Sequence, residues 1–181
     1  FLAAHPGLTI DLKLDDAFVD IVAEGVDVAV RAGELADSRL LATKLGEYRR
    51  LLVASPDYLR FAKPLAGPQD LAAHACILFI GRDAVDRWTF EGPSGARATV
   101  KVAGNFRSNS SQAVRAAILS GLGIGFPPEL LIGDDLKRGA LVEPLPFWRG
   151  VAQPIHALMP SHRRRSAKAR AFVEHLRAFL R

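Results

Sequence analysis

The sequence contains one cysteine, one methionine and no long apolar run. The one cysteine, Cys76, cannot form a disulfide within the chain, and its apolar run over residues 76–80 predicts a small core residue in a strand rather than a catalytic thiol. No apolar run approaches the roughly 18 residues that a membrane-spanning helix needs. We therefore expect no membrane partner, and a buried thiol outside any disulfide framework favours a cytoplasmic protein.

The start of the chain lacks an initiating methionine, a basic leader and a small-residue cleavage site. Residues 1–5 are typical of the last turn of a helix, which Pro6 and Gly7 would stop. This pattern predicts a fragment whose true beginning lies upstream.

Recognisable catalytic and metal-binding patterns are also missing. The five histidines have no metal-ligand spacing with one another or with Cys76. Asp15 and Asp16 are adjacent and do not form a catalytic carboxylate pair, and no residues form a nucleophile–base motif. The glycine-rich residues 121–125 follow a predicted helix and enter a predicted strand, which indicates a tight turn rather than a dinucleotide-binding loop. We expect no enzyme, no metal and no cofactor.

The chain does have a basic excess, with 24 lysines and arginines against 19 acidic residues. Much of this excess lies in residues 163–181, where a basic final helix is typical of a solvated face. No helix-turn-helix or zinc pattern accompanies the charge, so we expect no direct DNA contact by this fragment.

The first third of the chain has a strand, a helix and a strand in quick succession. Residues 8–14 alternate apolar and polar, which predicts a half-buried strand. The sequence predicts a helix that Asp16 can cap and that Gly25 ends, followed by a second strand at residues 26–30. This order predicts a parallel βαβ unit. A further strand pattern covers residues 47–54.

The remaining elements are predicted from caps, glycines and alternation. Ser55 and Pro56 mark a helix start, and Asn109 with Gln112 has the spacing of a capping box. The other predicted elements are a short helix at 69–74, a strand at 76–80, a hairpin with arms at 87–90 and 97–102, a strand at 105–108, a helix at 113–120 ended by Gly121, a strand at 124–126, a short helix after Pro127-Pro128, a strand at 155–159 and an amphipathic helix at 166–180.

Two features indicate anion capture. Asn109, Ser110 and Ser111 offer hydroxyls, an amide and backbone N–H groups at a helix N-terminus, where the dipole favours a carboxylate, although simple N-capping also explains Asn109 and one serine. Arg31 follows a strand and is expected at the carboxyl end of a parallel sheet, where open α/β folds bind ligands; a salt bridge explains it equally well. Phe18 and Phe126 either form an apolar wall or pack in the core.

Several segments, in the same order along the whole chain, resemble the sensing domain of bacterial LysR-type transcriptional regulators. The matching segments are Phe1-Leu2-Ala3-Ala4-His5-Pro6, Asp27-Val28-Ala29-Val30-Arg31-Ala32-Gly33, Ala54-Ser55-Pro56-Asp57-Tyr58-Leu59, Pro68-x-Asp70-Leu71-x-x-His74-x-Cys76 and Ala116-Ala117-x-x-x-Gly121-Leu122-Gly123-Ile124.

This resemblance implies an α/β, periplasmic-binding-protein-like (type II) fold, with two α/β lobes joined by two crossover strands around a central cleft. Lobe I would be residues 1–53 plus 155–181, and lobe II residues 54–154. The family's first sensing strand and its N-terminal winged helix-turn-helix have no counterpart in these residues. By position, the effector contacts implied are Asp15, Asp16, Phe18, Arg31, Gly33, Ser55, Ser108, Asn109, Ser110, Ser111, Phe126 and Pro127.

The function that the resemblance implies is effector sensing and dimerisation. A small molecule, which the two local features above predict to be a carboxylate or other anion, would bias the arrangement of the lobes and thereby change transcription. The resemblance implies a homo-dimer or tetramer that binds operator DNA only through the family's N-terminal winged helix-turn-helix segment. The alternative is a transport-type periplasmic solute-binding protein of the same fold.

Overall fold

The computed structural model describes residues 1–14, 21–33, 40–81, 86–161 and 166–180. The chain divides into two compact units, unit 1 with Phe1–Glu47 and Gln153–Arg181, and unit 2 with Tyr48–Ala152. Helices and sheets alternate along the chain, which confirms the predicted α/β class. The predicted bounds of the two lobes and the predicted positions of the two crossovers stay a prediction.

Unit 1 has a three-stranded sheet and a long helix. The strands, in spatial order, are β1 (Ala29–Ala32), β9 (Gln153–Met159) and β2 (Leu41–Tyr48), and the helix is α4 (Ala167–Phe179). The Ser166 hydroxyl caps α4 by accepting a hydrogen bond from the Ala169 amide at 3.4 Å, and Ala169 and Val173 are buried. The predicted last strand and amphipathic helix are therefore confirmed.

The start of unit 1 differs from the sequence expectation. Residues 8–14 form no strand, and Leu12 and Leu14 are exposed. Alternation of apolar residues is stable as a strand only beside a partner strand, and the described sheet of unit 1 places none next to this segment. β1 starts at Ala29 and pairs antiparallel with β9, with Ala29 opposite Leu158. The predicted parallel βαβ unit is therefore wrong for the described residues.

Residues 21–25 form a turn at the position where the sequence predicts a helix end. Gly25 has φ +66°, its amide donates to the Val22 carbonyl, and the Val26 amide donates to the Ile21 carbonyl. These two bonds are the pattern of a Schellman motif, which needs a left-handed residue at this position. The predicted start of a helix at Asp16 lies outside the described residues.

The described residues of unit 2 form two three-stranded sheets, three α-helices and two short 3₁₀ segments. The sheets are β6-β3-β7, which is parallel, and β5-β4-β8, which is antiparallel. The elements are α1 (Pro56–Phe61), a 3₁₀ helix (Pro68–Ala73), β3 (Cys76–Phe79), β4 (Arg87–Glu91), a 3₁₀ turn (Pro93–Gly95), β5 (Arg97–Lys101), β6 (Phe106–Ser108), α2 (Ser111–Leu119), β7 (Ile124–Gly125), α3 (Glu129–Lys137) and β8 (Arg149–Gly150).

The core of unit 2 lies on both faces of the parallel sheet. Alternate residues of β3 point to opposite faces, as a strand requires. Cys76 and Leu78 belong to one buried cluster with Phe90 from the antiparallel sheet, whereas Ile77 packs with Ile118 of α2 and other helical residues. The unit is therefore layered, with the parallel sheet between the second sheet and the helices α2 and α3, whereas Tyr58 and Leu59 of α1 pack on the side of the second sheet.

Most predicted elements of unit 2 are confirmed, and one is displaced. The predicted strand at 47–54 is replaced by β2, which ends at Tyr48, and by isolated bridges such as that between Val53 and Gly125. Leu52 and Val53 are both buried, so the apolar run reflects a segment enclosed on both faces rather than a ladder strand. Within the described residues, no helix has the length and apolar character needed to cross a membrane.

Candidate functional site

The carboxyl ends of the three parallel strands of unit 2 meet at one sheet edge. β6 ends at Ser108, whose carbonyl accepts a hydrogen bond from the Ile80 amide just beyond β3 at 2.8 Å. β7 leads at the same edge into Phe126 and Pro127. Open α/β sheets bind ligands outside this edge. We call the edge residues 80, 108–111 and 126–127 the carboxyl edge.

The turn from β6 into α2 is held by two serine hydroxyls. The Ser108 hydroxyl accepts from the Ser110 amide at 3.1 Å, and the Ser110 hydroxyl accepts from the Ala113 amide at 3.3 Å. Ser110 is therefore the N-cap of α2. The predicted capping box of Asn109 is wrong, because the Ser108 bond keeps Asn109 one residue outside the helix. The Asn109 side chain is exposed, which leaves its amide available to a ligand.

Arg50 brings a cationic group to the carboxyl edge. One of its guanidinium nitrogens donates to the Phe126 carbonyl at 3.2 Å, and the described residues give Arg50 no salt-bridge partner. β3 separates β7 from β6, so the two strand ends are about 10 Å apart. A molecule between them would meet hydroxyls on one side and a guanidinium on the other. No sequence signal distinguishes Arg50, since it lies inside the predicted strand and next to Arg49.

Not all predicted contacts lie in this arrangement. The Ser55 side chain is 4% exposed, and its hydroxyl accepts from the Tyr58 amide at 3.3 Å as the N-cap of α1. It lies near Gly121, at the opposite end of the nine-residue helix α2, about 13 Å from Ser110 by helix length. The Phe126 ring is buried against Trp88 and Phe90, with ring centroids 5.3 and 4.6 Å away.

The predicted contacts of unit 1 lie at the end of β1. Arg31 is opposite His156 of β9. Gly33 has φ +95°, and its amide donates to the Pro154 carbonyl at 2.9 Å, which continues the pairing past the strand end. Antiparallel neighbours share one sheet face, so His156 stands beside Arg31. Asp15, Asp16 and Phe18 lie outside the described residues.

Cys76 is confirmed as a core residue. Its side chain has no exposure, and burial raises the pKa of the thiol to about 12. We expect native Cys76 to react with a disulfide reagent at least about a hundredfold more slowly than an Ala96→Cys thiol in the Cys76→Ala background, because reaction needs a thiolate and a local opening. Ala96 is exposed on the hairpin turn. Equal rates in a reagent-kinetics assay would contradict a closed core at Cys76.

Comparison with protein families gives one match over the entire chain. The model described as "LysR substrate binding domain" matches residues 1–181.

Curated relatives agree with this match. The HTH-type transcriptional regulator PtxR of Pseudomonas aeruginosa is 37% identical over 180 residues, which is 99% of this chain and 57% of that protein. The uncharacterized HTH-type transcriptional regulator YhjC of Escherichia coli is 33% identical over 97% of this chain and 59% of its own length. The chain thus spans a little over half the length of these relatives, which are named as transcriptional regulators rather than transport proteins.

Solved structures share the fold. The regulatory domain of CrgA from Neisseria meningitidis has a TM-score of 0.87 and 26% identity over 99% of this chain and 88% of that chain. The full-length Vibrio cholerae virulence activator AphB has a TM-score of 0.82 and 26% identity over 99% of this chain and 61% of that chain. These neighbours bear out the two-lobed, periplasmic-binding-protein-like fold class.

Proposed function

Because the chain belongs to the LysR substrate-binding domain family of transcriptional regulators, we propose that it senses a small carboxylate or a similar anion, which contacts the carboxyl edge of unit 2. The observation that carries this proposal is that Ser108, Asn109 and Ser110 at the start of α2 and the Arg50 guanidinium at the end of β7 lie at the same edge of the parallel sheet.

The helix start supplies hydrogen-bond donors. The Ser110 and Ala113 amides are occupied by serine oxygens, and the described residues give the Gln112 amide no partner. Unsatisfied N–H groups and the positive end of the helix dipole favour a bound anion. The Ser108 and Ser110 hydroxyl oxygens already accept hydrogen bonds, so their protons can be donated to a ligand.

Arg50 supplies the charge. A guanidinium has five N–H donors, and the Phe126 carbonyl takes one of them. Arginine binds carboxylates through two parallel N–H groups, which gives a preference for this group over neutral acceptors. Ser111 and Pro127 flank the two ends of this edge. Ser55 and the Phe126 ring stay predicted effector contacts. Each also has a structural role, Ser55 as the N-cap of α1 and the Phe126 ring as part of the core.

The remaining parts of the hypothesis concern unit 1 and the intact regulator. Arg31 and Gly33, with Asp15, Asp16 and Phe18, stay proposed effector contacts of unit 1. We propose that effector binding shifts the population of conformations and thereby changes transcription. The full protein would be a cytoplasmic homo-dimer or tetramer that binds operator DNA through a segment outside this chain. Its relatives are regulators, and we propose no catalytic activity.

The test is a thermal-shift screen of this chain against small aliphatic and aromatic carboxylates. For any stabilising compound, Arg50→Gln and Asn109→Ala should each weaken binding by about tenfold, the loss of one good polar contact. Ser110→Ala should weaken binding and also destabilise the fold by about 1 kcal/mol as a lost N-cap.

Ser166→Ala is the matched control, because Ser166 caps α4 of unit 1 in the same way. It should cost similar stability without a change in affinity, as measured by calorimetric titration. A stabilising carboxylate whose affinity is the same in the Arg50, Asn109 and Ser110 variants would remove the carboxyl edge as the binding site.

A further inference from the structure

Unit 2 has a cavity of about 480 Å³ at the C-terminal end of α2, beside Ser120 and Gly121. The proposed effector contacts Ser108–Ser110 lie at the N-terminal end of the same nine-residue helix, about 13 Å away by helix length. The volume is within the range of small-molecule sites. The cavity is therefore separate from the carboxyl edge.

His74, which lines this cavity, is held by Tyr58. The His74 side chain is 7% exposed, and its Nδ1 lies 3.2 Å from the Tyr58 hydroxyl oxygen. The Ala75 amide donates to that same oxygen at 3.2 Å. We assign the hydroxyl proton to the bond with Nδ1, which leaves the imidazole proton on Nε2. Burial lowers the pKa of His74, so the ring is neutral at pH 7.

The Nε2 group of His74 is unsatisfied. It is buried, and the described residues give it no hydrogen-bond partner. Buried polar groups in proteins nearly always have a partner, and an N–H without one is costly. Because Nε2 has almost no exposed surface, a bound molecule with an acceptor atom would supply the missing bond once the His74 ring or the side chains over it shift.

The rim of the cavity indicates the class of that molecule. Lys63 and Phe61 both line the cavity, and the Phe61 ring is 86% exposed. Asp57, the acidic residue of the lining, is paired with Arg60 at 3.2 Å. The rim therefore offers the Lys63 ammonium, for which the described residues provide no salt bridge, and the exposed Phe61 ring, whose centroid lies 6.0 Å from the Arg60 guanidinium carbon. These features favour an anion with an apolar body.

We propose that this cavity binds a small organic carboxylate, one oxygen of which accepts a hydrogen bond from His74 Nε2 while Lys63 attracts its charge and Phe61 contacts its apolar part. This site is independent of the proposed effector contacts at the carboxyl edge.

The experiment is an NMR titration of the ¹⁵N-labelled chain with sodium phenylacetate, and with 2-phenylethanol as the uncharged probe. Phenylacetate should shift the His74 ring nitrogens and the amides of residues 73–75. Lys63→Gln should weaken this binding roughly threefold, as expected for one exposed charge pair. Lys101→Gln is the matched control, since Lys101 is an exposed lysine elsewhere in unit 2 and should not change the affinity.

Three results would overturn the proposal. One is an absence of His74 shifts up to the solubility limit of phenylacetate, as expected if only a buried water satisfies Nε2. The second is equal binding of 2-phenylethanol, which would leave the carboxylate without a role. The third is a response confined to residues 108–112, where Asn109→Ala should abolish it; that result would support the carboxyl edge and reject the cavity. A His74 response that Asn109→Ala leaves unchanged supports the cavity whatever the fate of the effector proposal.

Discussion

Asp135→Asn should lower the free energy of unfolding by about 3 kcal/mol, because it breaks a buried ion pair and leaves its partners uncompensated. Asp135 has no exposure and accepts two parallel bonds from Arg115, at 2.6 and 2.7 Å, as well as a bond from Arg138. Asparagine has nearly the same shape, but it carries no charge and only one acceptor oxygen. The change therefore isolates the electrostatic contribution that joins α2 to α3.

The matched control is Asp134→Asn, one residue earlier in α3. Asp134 is 88% exposed and pairs with Lys137 at 3.1 Å. An exposed pair of this spacing contributes little, so we expect a change within about 0.5 kcal/mol. Urea unfolding followed by circular dichroism gives both values. Equal stabilities for the two variants would contradict a structural role for the buried carboxylate.

Local sequence signals predicted the elements of unit 2 because each has its own start or stop residue. Ser55 with Pro56 begins α1, and Gly121 at φ +78° ends α2. These interactions span three to five residues, so the sequence displays them directly. The hairpin of β4 and β5 was predictable for the same reason, since its turn and both arms are contiguous.

Pairing between distant segments was much less predictable. Apolar and polar residues alternate in residues 8–14 with the period of a strand, but this period does not show whether another strand lies beside the segment. The neighbour of β1 is β9, more than 100 residues away along the chain, and its antiparallel direction follows from that remote segment. The prediction assumed that segments close to each other in sequence pair in the sheet. It therefore gave a parallel βαβ unit, which the described residues do not form.

In the candidate site, too, features with a local sequence signal were predicted, and features that depend on distant segments were not. The start of α2 was identified from its cluster of polar residues, although the cap proved to be Ser110 because the Ser108 hydroxyl binds the amide next to it. Arg50 was missed because its position beside Phe126 depends on the antiparallel bridge of Arg50 with Pro128, across about 80 residues. Ser55 was placed in the site by family position, but its segment runs opposite to β7 and carries it to the other end of α2.

Gly104→Ala should destabilise the chain by about 3 kcal/mol, at the upper end of the usual cost of overpacking. A Cβ at this position would lie 1.7 Å from the Cys76 carbonyl oxygen, 2.7 Å from its carbon and 3.0 Å from its nitrogen. All three atoms belong to the backbone, so no side-chain rotation relieves the contact. The Cys76 amide also donates to the Ala103 carbonyl at 2.9 Å, and movement of either segment would break this bond.

Gly133→Ala is the control for the glycine-to-alanine change itself. Gly133 lies inside α3, and no atom lies within 4 Å of its added Cβ. Alanine loses less backbone entropy in a helix, so this variant should be more stable by roughly 0.5–1 kcal/mol. The urea concentration at the midpoint of unfolding should therefore fall for Gly104→Ala and rise for Gly133→Ala. A Gly104→Ala protein as stable as the parent would show that residues 103–105 do not approach β3 as closely as described, and the position of Ser108 at the end of β6 would then need revision.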